Sequence, residues 1–176
     1  MVSKSLIFMI RLIDGTMERV GRFVSWLSLL LVVAVCCDVF FRYCFDLSYV
    51  ISRELEWHLF ALLFLLGAAY TLKHDQHVRV DLFYQKMPPR LRGFVNVAGC
   101  FVFLFPGCFL IIKTAIPFVV QAWQIREGSP DPGGLPARYL IKAALPLGFM
   151  LMSLQGLSFL GRNLLACAGI KLPADN

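Results

Sequence analysis

Four long apolar segments dominate the pattern of hydrophobic and polar positions along this chain. Each is about the length of a membrane-crossing helix, which needs ~20 residues at ~1.5 Å of rise. The segments are Phe23–Phe41, Leu55–Leu72, Phe94–Ile112 and Tyr139–Leu160. Because short connections join them, the pattern predicts an all-α integral membrane protein with four transmembrane helices in one membrane domain, residues 1–176. Such a chain has no room for a catalytic domain in water, so we expect no enzyme activity.

The stretch before the first segment, residues 1–21, mixes apolar and charged side chains. Apolar residues such as Phe8, Leu12 and Met17 alternate with charged residues such as Arg11 and Asp14. This mixture is typical of an amphipathic helix that lies in the membrane interface. We therefore expect an interfacial helix on the cytoplasmic face. The alternative is a frayed lead-in to the first span.

The charged residues are few and unevenly placed. The chain is 59% hydrophobic and only 16% charged, whereas a soluble domain carries about 25% charged residues. Positively charged loops face the cytoplasm, so an excess of basic residues on one side predicts that both termini and the connection 73–92 are cytoplasmic. The formal charge of +6 is then explained by topology and by contact with anionic lipid headgroups, and we expect no nucleic-acid partner. Eleven basic residues fall on the expected cytoplasmic side, namely Lys4, Arg11, Arg19, Arg22, Lys73, Arg79, Lys86, Arg90, Arg92, Arg162 and Lys171, and five on the other, namely Arg42, Arg53, Arg126, Arg138 and Lys142.

The cysteine and histidine patterns give no strong signal for a cofactor. None of the six cysteines forms a C-x-x-C pair, and free cysteine packs well as a small apolar residue. His74, His77 and Asp81 could share one helical face. Two imidazoles and one carboxylate fall short of the three or four protein ligands that zinc sites usually have. We expect neither a metal nor another cofactor.

One pair of opposite charges lies at the end of the first span. Asp38 and Arg42 are four residues apart, so they share a helix face and can pair. The spacing predicts an interfacial ion pair in which Arg42 extends outward to the headgroups. A partner contact or an ion site is the alternative.

The second span and its flanks carry the features that we expect at a subunit interface. Small residues let transmembrane helices approach closely, and charged flanks can set the register of two partners. The alternatives are that the small residues pack only within this chain, and that the acids favour a helix N-terminus through its dipole. The candidate interface residues are Glu54, Glu56, Gly67, Ala68, Thr71, His77 and Asp81.

The third segment contains a proline near its middle. Pro106 has no backbone N–H and favours a kink, which we interpret as a feature of packing. The helix is expected to run on past Lys113 towards Gln124 as a long, tilted element.

Five short motifs follow one another in a fixed order along the chain. They are Glu54–Trp57, Phe64–Tyr70, His77–Asp81, Asp131–Pro136 and Leu145–Phe149. Together they resemble the small membrane subunit (DctQ-type) of tripartite ATP-independent periplasmic, or TRAP, transporters. The resemblance covers roughly residues 22–162, and the order of the motifs with the four spans makes it more specific than any single motif. Gln76 stands where a glycine or an acid is expected before His77.

This resemblance implies a supporting role in a secondary transporter of a bacterial inner membrane. Members work with a large membrane subunit that holds the sodium and substrate sites, and a periplasmic substrate-binding protein delivers an organic acid. Uptake is driven by ion gradients, and the small subunit braces the large one. The chain has no evident inverted repeats, paired discontinuous helices or polar cluster in mid-membrane, which a transport site would favour.

Two other functions are consistent with a small membrane protein. A haem-binding or structural anchor of a respiratory complex would need axial ligands, often histidines on facing helices. All three histidines lie at or near the ends of one span, namely His58, His74 and His77. A stand-alone small transporter is the other alternative, and transport by this chain alone would distinguish it from a subunit.

Overall fold

The protein is a bundle of long helices, described by a computed structural model over residues 2–74 and 87–167. The third span consists of two helices, Pro89–Gly99 and Phe105–Gln124, which are joined by a short π-helical segment. The helices are α1 (Val2–Phe45), α2 (Val50–Lys73), α3 (Pro89–Gly99), the π-helical turn Cys100–Leu104, α4 (Phe105–Gln124) and α5 (Tyr139–Cys167).

Four of these helical stretches are long and apolar enough to cross a membrane. They are Ser5–Phe45, Val50–Lys73, Leu91–Gln124 and Tyr139–Cys167. Each contains one of the four segments expected from the hydrophobic pattern, so the predicted all-α membrane fold is confirmed. Large apolar side chains cover the outside of the bundle, such as Phe64, which is 69% exposed, and Phe103, which is 77% exposed. A surface of this kind suits lipid or another membrane protein.

Helix α1 differs from the expectation of a separate interfacial helix. It continues without a break for 44 residues, so the N-terminal lead and the first span form one element. No proline occurs between Val2 and Phe45, and so nothing in this sequence obliges the helix to stop. The lead also packs into the bundle: Ile13 and Met17 form a buried cluster with Ala69 of α2.

Helix α1 ends at a residue with left-handed backbone geometry. Asp46 has a φ of 53°, and the N–H of Leu47 donates to the carbonyl of Phe41 at 3.3 Å. The hydrogen bond closes the turn at the end of the helix, and the left-handed Asp46 is the kind of residue that commonly follows a helix C-terminus. The chain then turns within a few residues into α2.

The π-helical turn lies directly before Pro106, where the sequence predicted a kink. The backbone N–H of Phe105 bonds to the carbonyl of Cys100, five residues earlier. A widened turn of this kind accommodates a residue that lacks an N–H. The helix then continues to Gln124 as expected.

Helix α5 lies at the centre of the arrangement and packs against all the other helices. Successive spans run in opposite directions, so the connections alternate between two ends of the bundle. Residues of α1 near Asp14 meet residues of α5 near Arg162 at one end, where Lys73 also pairs with Glu18. The start of α2 meets the α4–α5 loop at the other end. The start of α1, the end of α2 and the end of α5 therefore share one end of the bundle.

Candidate interaction surface

Asp38 and Arg42 form an ion pair on α1. Their spacing of one helical turn brings the carboxylate and the guanidinium together. The Asp38 side chain is 3% exposed and the Arg42 side chain 47% exposed. The pair therefore neutralises a buried carboxylate with a cation that reaches the surface.

Glu54 has an internal role. It is 5% exposed, and its carboxylate accepts hydrogen bonds from the Ser129 hydroxyl and from the Leu135 N–H, both at 2.5 Å. These two donors belong to the loop between α4 and α5. Nearby, the guanidinium of Arg138 lies 5.5 Å from the centroid of the Trp57 ring. Glu54 thus holds this loop against the start of α2.

Glu56 and the two loop residues of the predicted interface are placed differently. Glu56 is partly exposed, and its Oε1 is buried without a hydrogen-bond partner in the described part of the chain. His77 and Asp81 lie outside the described residues. Of the charged members of the predicted interface, the structure therefore describes Glu54 and Glu56, and Glu54 is bonded to the loop between α4 and α5.

The small residues of α2 divide between an internal contact and an open surface. A Cβ built on Gly67 would lie 3.4 Å from Cγ1 of Val24, so Gly67 faces α1. Thr71 donates its hydroxyl to the Gly67 carbonyl at 3.0 Å, which satisfies this polar group within the helix. Gly67 and Thr71 also line the groove between α1 and α2, whereas Ala68 lines the grooves on both sides of α2.

Three shallow grooves lie side by side on one face of the bundle, which we call the grooved face. The first, of about 480 Å³, separates α1 from α2, and the second, of about 140 Å³, separates α2 from α5. Both are lined by Phe64 and Ala68, which form the ridge between them. The third, of about 620 Å³, separates α5 from the α3–α4 span. Phe149 and Met152 form the ridge between the second and third grooves.

The grooved face has the chemistry of a helix-packing surface. The groove between α2 and α5 is lined only by apolar residues and glycine, namely Phe64, Leu65, Ala68, Gly148, Phe149 and Met152. Ridges formed by large side chains and grooves lined by small ones are the features by which transmembrane helices interlock. The groove between α2 and α5 offers no polar side chain to a hydrated ion or an organic anion.

A buried polar cluster joins α1 to α5. It lies towards the end of the bundle opposite to Glu54. Asp14 accepts hydrogen bonds from the Gln155 amide at 3.0 Å and the Ser158 hydroxyl at 2.8 Å, and it forms an ion pair with Arg162. Gln155 and Ser158 are each 1% exposed. The sequence did not identify this cluster, although the spacing of its α5 members, three and four residues, was a signal of a polar stripe on one helix face.

The described residues show no metal centre. No group of three or more histidine, cysteine or acidic side chains is arranged to hold an ion in residues 2–74 and 87–167. The described histidines, His58 and His74, both belong to α2 or the residue that caps it. This part of the chain therefore offers no pair of axial haem ligands on facing helices.

Comparisons with known proteins agree with these features. Residues 31–166 match the sequence model of a family described as tripartite ATP-independent periplasmic transporters, DctQ component. A relative from Vibrio cholerae serotype O1 is 26% identical over 168 residues, which cover 78% of this chain and 71% of the relative. That relative is the C4-dicarboxylate TRAP transporter small permease protein DctQ. The matched range includes Glu54 and the ridge of Phe64 and Ala68.

Proposed function

Because this chain belongs to the DctQ component family of tripartite ATP-independent periplasmic transporters, we propose that it braces the large membrane subunit of such a transporter through its grooved face. The family is one of transporter components and not of enzymes. In this proposal the large subunit carries the substrate and sodium sites, and this chain widens the membrane-embedded scaffold around it.

One observation carries the proposal: the chain pairs most of its buried charges internally and leaves an apolar, grooved surface outside. Asp14 pairs with Arg162 and Asp38 with Arg42, while Glu54 holds the loop between α4 and α5. A transport pathway needs polar groups that bind the substrate near the middle of the membrane. The grooves of the described residues are open and mostly apolar, which favours contact with another membrane protein.

The substrate and the coupling ion follow from the family as proposals. The relative from Vibrio cholerae is named for C4-dicarboxylates, and we propose an organic acid of this class for the transporter that contains this chain. A periplasmic substrate-binding protein would deliver the acid, and an ion gradient would drive its uptake without ATP. The chain would lie in the bacterial inner membrane as a multi-pass protein with both termini in the cytoplasm.

A substitution on the ridge between the first two grooves tests this function. Ala68→Phe places a large ring where the partner would pack, whereas Ala68 faces open grooves in the isolated chain. We expect the variant to fold but to lose most of the large subunit during co-purification from membranes. A loss of ~1–2 kcal/mol per helix contact is the expected scale. Gly67→Leu is a poorer test because Gly67 already contacts α1 within this chain.

A matched control separates docking from folding. Leu30 is 54% exposed on α1 and lines none of the three grooves, so Leu30→Phe adds similar bulk away from the ridge. Both variants should elute as folded protein, and only Ala68→Phe should release the large subunit. Full recovery of the complex with folded Ala68→Phe would exclude the grooved face as the interface.

Transport measurements test the wider role. Proteoliposomes with this chain alone should show no sodium-dependent uptake of a C4-dicarboxylate. Addition of the large subunit and the binding protein should restore uptake. Robust uptake by this chain alone would contradict the supporting role and favour a stand-alone transporter.

A further inference from the structure

Lys113 is a lone cation in a long apolar helical stretch. Between Gly93 and Ile125 it is the one charged residue of the sequence, and it lies within the 34-residue candidate span Leu91–Gln124. Its neighbours on the exposed side of α4 are apolar: Phe109 is 67% exposed and Leu110 62% exposed. A charged side chain in such surroundings is costly unless it is paired or hydrated.

The Lys113 side chain points away from the bundle. Helix α4 packs on α5, and its buried residues include Ala115 and Ala122. At 3.6 residues per turn, Lys113 lies ~160–180° around the helix from both. Lys113 is exposed, which agrees with this position on the outer edge of α4.

Two other charges in apolar surroundings, Lys142 and Asp38, are paired inside the chain, but Lys113 is not. Lys142 bonds to Glu127 at 2.5 Å and lies 4.0 Å from the centroid of the Phe118 ring, and Asp38 pairs with Arg42. No ion pair or hydrogen bond joins the Lys113 ammonium to another residue within ranges 2–74 and 87–167. The negative charge that pairs with Lys113 must therefore come from outside these two ranges.

A second polar group occurs at the same place on the backbone. Pro117 lies inside α4, four residues after Lys113. Because proline has no N–H, the Lys113 carbonyl lacks its usual helical donor. The outer edge of α4 thus carries the Lys113 ammonium and, towards Pro117, a carbonyl without its helical donor, within a mainly apolar surface.

We propose that Lys113 pairs with a carboxylate on a transmembrane helix of the large membrane subunit, which lies along the outer edge of α4. This inference rests on the proposed function, since it names a second contact of the same complex. Continuity supports it: Gly107 of α4 lines the groove between α4 and α5, and the exposed residues Leu110 and Lys113 follow at three-residue intervals, each ~60° further around the helix. A partner seated on the grooved face can therefore extend around α4 to Lys113.

The position of Lys113 along α4 favours a protein carboxylate over a lipid phosphate. The helix ends at Gln124, ~16 Å further along at 1.5 Å per residue. There Trp123 packs against Tyr139 with ring centroids 4.7 Å apart, and such aromatic residues typically lie at headgroup level. Towards the other end, Leu91 is ~33 Å away. A lysine side chain that extends to the interface covers only a fraction of either distance.

Zero-length crosslinking provides a direct test in the purified complex of both membrane subunits. The membrane-soluble reagent dicyclohexylcarbodiimide joins an amine to a carboxylate that it already contacts. Mass spectrometry should find Lys113 linked to an aspartate or glutamate of the large subunit, and the link should be absent in Lys113→Met. The Lys142–Glu127 pair, with its nitrogen and oxygen 2.5 Å apart, is the positive control in both samples.

Charge substitutions provide an independent measurement. Lys113→Glu should reduce the recovery of the large subunit about tenfold because two carboxylates then face each other. Lys113→Arg keeps the charge and should stay within about twofold of the unaltered complex. Since Lys113 is exposed, both variants should fold, which gel filtration of the isolated chain would check.

The outcomes separate this inference from the proposed function. Full recovery with Lys113→Glu, while Ala68→Phe still releases the partner, would overturn the Lys113 contact alone. A crosslink from Lys113 to a second copy of this chain would also overturn it. So would a Lys113→Glu variant that keeps the complex intact but loses a preference of the chain for vesicles of phosphatidylglycerol over vesicles of phosphatidylcholine. If the unaltered chain forms no complex with the large subunit, both proposals fail.

Discussion

The carboxylate of Glu54 on α2 accepts a hydrogen bond at 2.5 Å from the backbone N–H of Leu135, 81 residues further along the chain. The Ser129 hydroxyl donates to the same carboxylate. The loop between α4 and α5 is therefore anchored on α2 and not only on the helices that it connects. Within the loop, the N–H of Arg138 bonds to the Glu127 carbonyl at 2.8 Å. One acidic side chain thus fixes the position of an irregular segment at this end of the bundle.

Substitution of Glu54 should loosen this loop and destabilise the chain. Glu54→Gln keeps the size of the side chain but removes the charge that strengthens both hydrogen bonds. We expect a loss of ~1–3 kcal/mol in the free energy of unfolding, the scale for hydrogen bonds to a charged group. Denaturant titration in detergent micelles measures it. Asp131→Asn is the control because Asp131 is exposed in the same loop, and equal stability of the two variants would contradict the anchoring role.

The ion pair of Asp14 and Arg162 should be more sensitive to the loss of the acid than of the base. Asp14→Ala removes the carboxylate to which three side chains donate, those of Gln155, Ser158 and Arg162. Breaking a buried pair from one side costs about 3–5 kcal/mol. Arg162→Ala should cost less because Asp14 then keeps the hydrogen bonds from Gln155 and Ser158. Unfolding measurements on both variants compare the two costs.

A double-mutant cycle checks that the two residues act together. Asp14→Ala combined with Arg162→Ala should cost less than the sum of the single substitutions, because each single change already removes their interaction. Asp14→Ala combined with Arg19→Ala is the control, since Arg19 is exposed on the same helix, and here the two costs should add. Simple additivity of Asp14→Ala and Arg162→Ala would show that the pair contributes little.

Local sequence spacing was sufficient to predict the elements and one of the contacts. The four apolar segments predicted the spans because their lengths match a bilayer. Asp38 and Arg42 are one helical turn apart, so their pairing follows from helix geometry once the helix is assigned. The extension of the third span to Gln124 was likewise visible in the apolar sequence beyond Lys113.

The long-range polar contacts could not be predicted in the same way. Glu54 was assigned to an interface, but its donors lie 75 and 81 residues away along the chain. Asp14 was placed in an interfacial helix, and its partners follow more than 140 residues later. Helical periodicity identifies the face on which a residue lies, whereas the helix that packs on that face depends on the tertiary arrangement. Both assignments needed the packing of α5 against α1 and of the loop against α2.

Two glycines on the helices that form the grooved face should respond to the same substitution in opposite ways. A Cβ on Gly148 would lie 2.6 Å from the Leu65 carbonyl oxygen, so Gly148→Ala must push α5 away from α2. Overpacking of this kind costs about 1–3 kcal/mol. A Cβ on Gly107 meets nothing within 4 Å, so Gly107→Ala should be neutral or stabilising by up to ~1 kcal/mol through its helix propensity. Thermal unfolding in micelles compares the two, and a stable Gly148→Ala would contradict close packing of α2 and α5.

The alternation of the helices places Asp46 and Asp131 at the opposite end of the bundle from Gly15, and labelling can establish which end faces the periplasm. Single cysteines at these three positions are introduced into a variant without the six native cysteines, because Cys36, Cys37 and Cys44 are exposed. All three positions are exposed, and a side chain at Gly15 meets nothing within 4 Å.

The excess of basic residues near the Gly15 end predicts that this end lies in the cytoplasm. A membrane-impermeant maleimide added to intact spheroplasts should therefore label Asp46→Cys and Asp131→Cys at once, and Gly15→Cys only after permeabilisation. The reverse pattern would show an inverted orientation, and labelling of Asp46→Cys and Asp131→Cys from different sides would contradict the helix order itself.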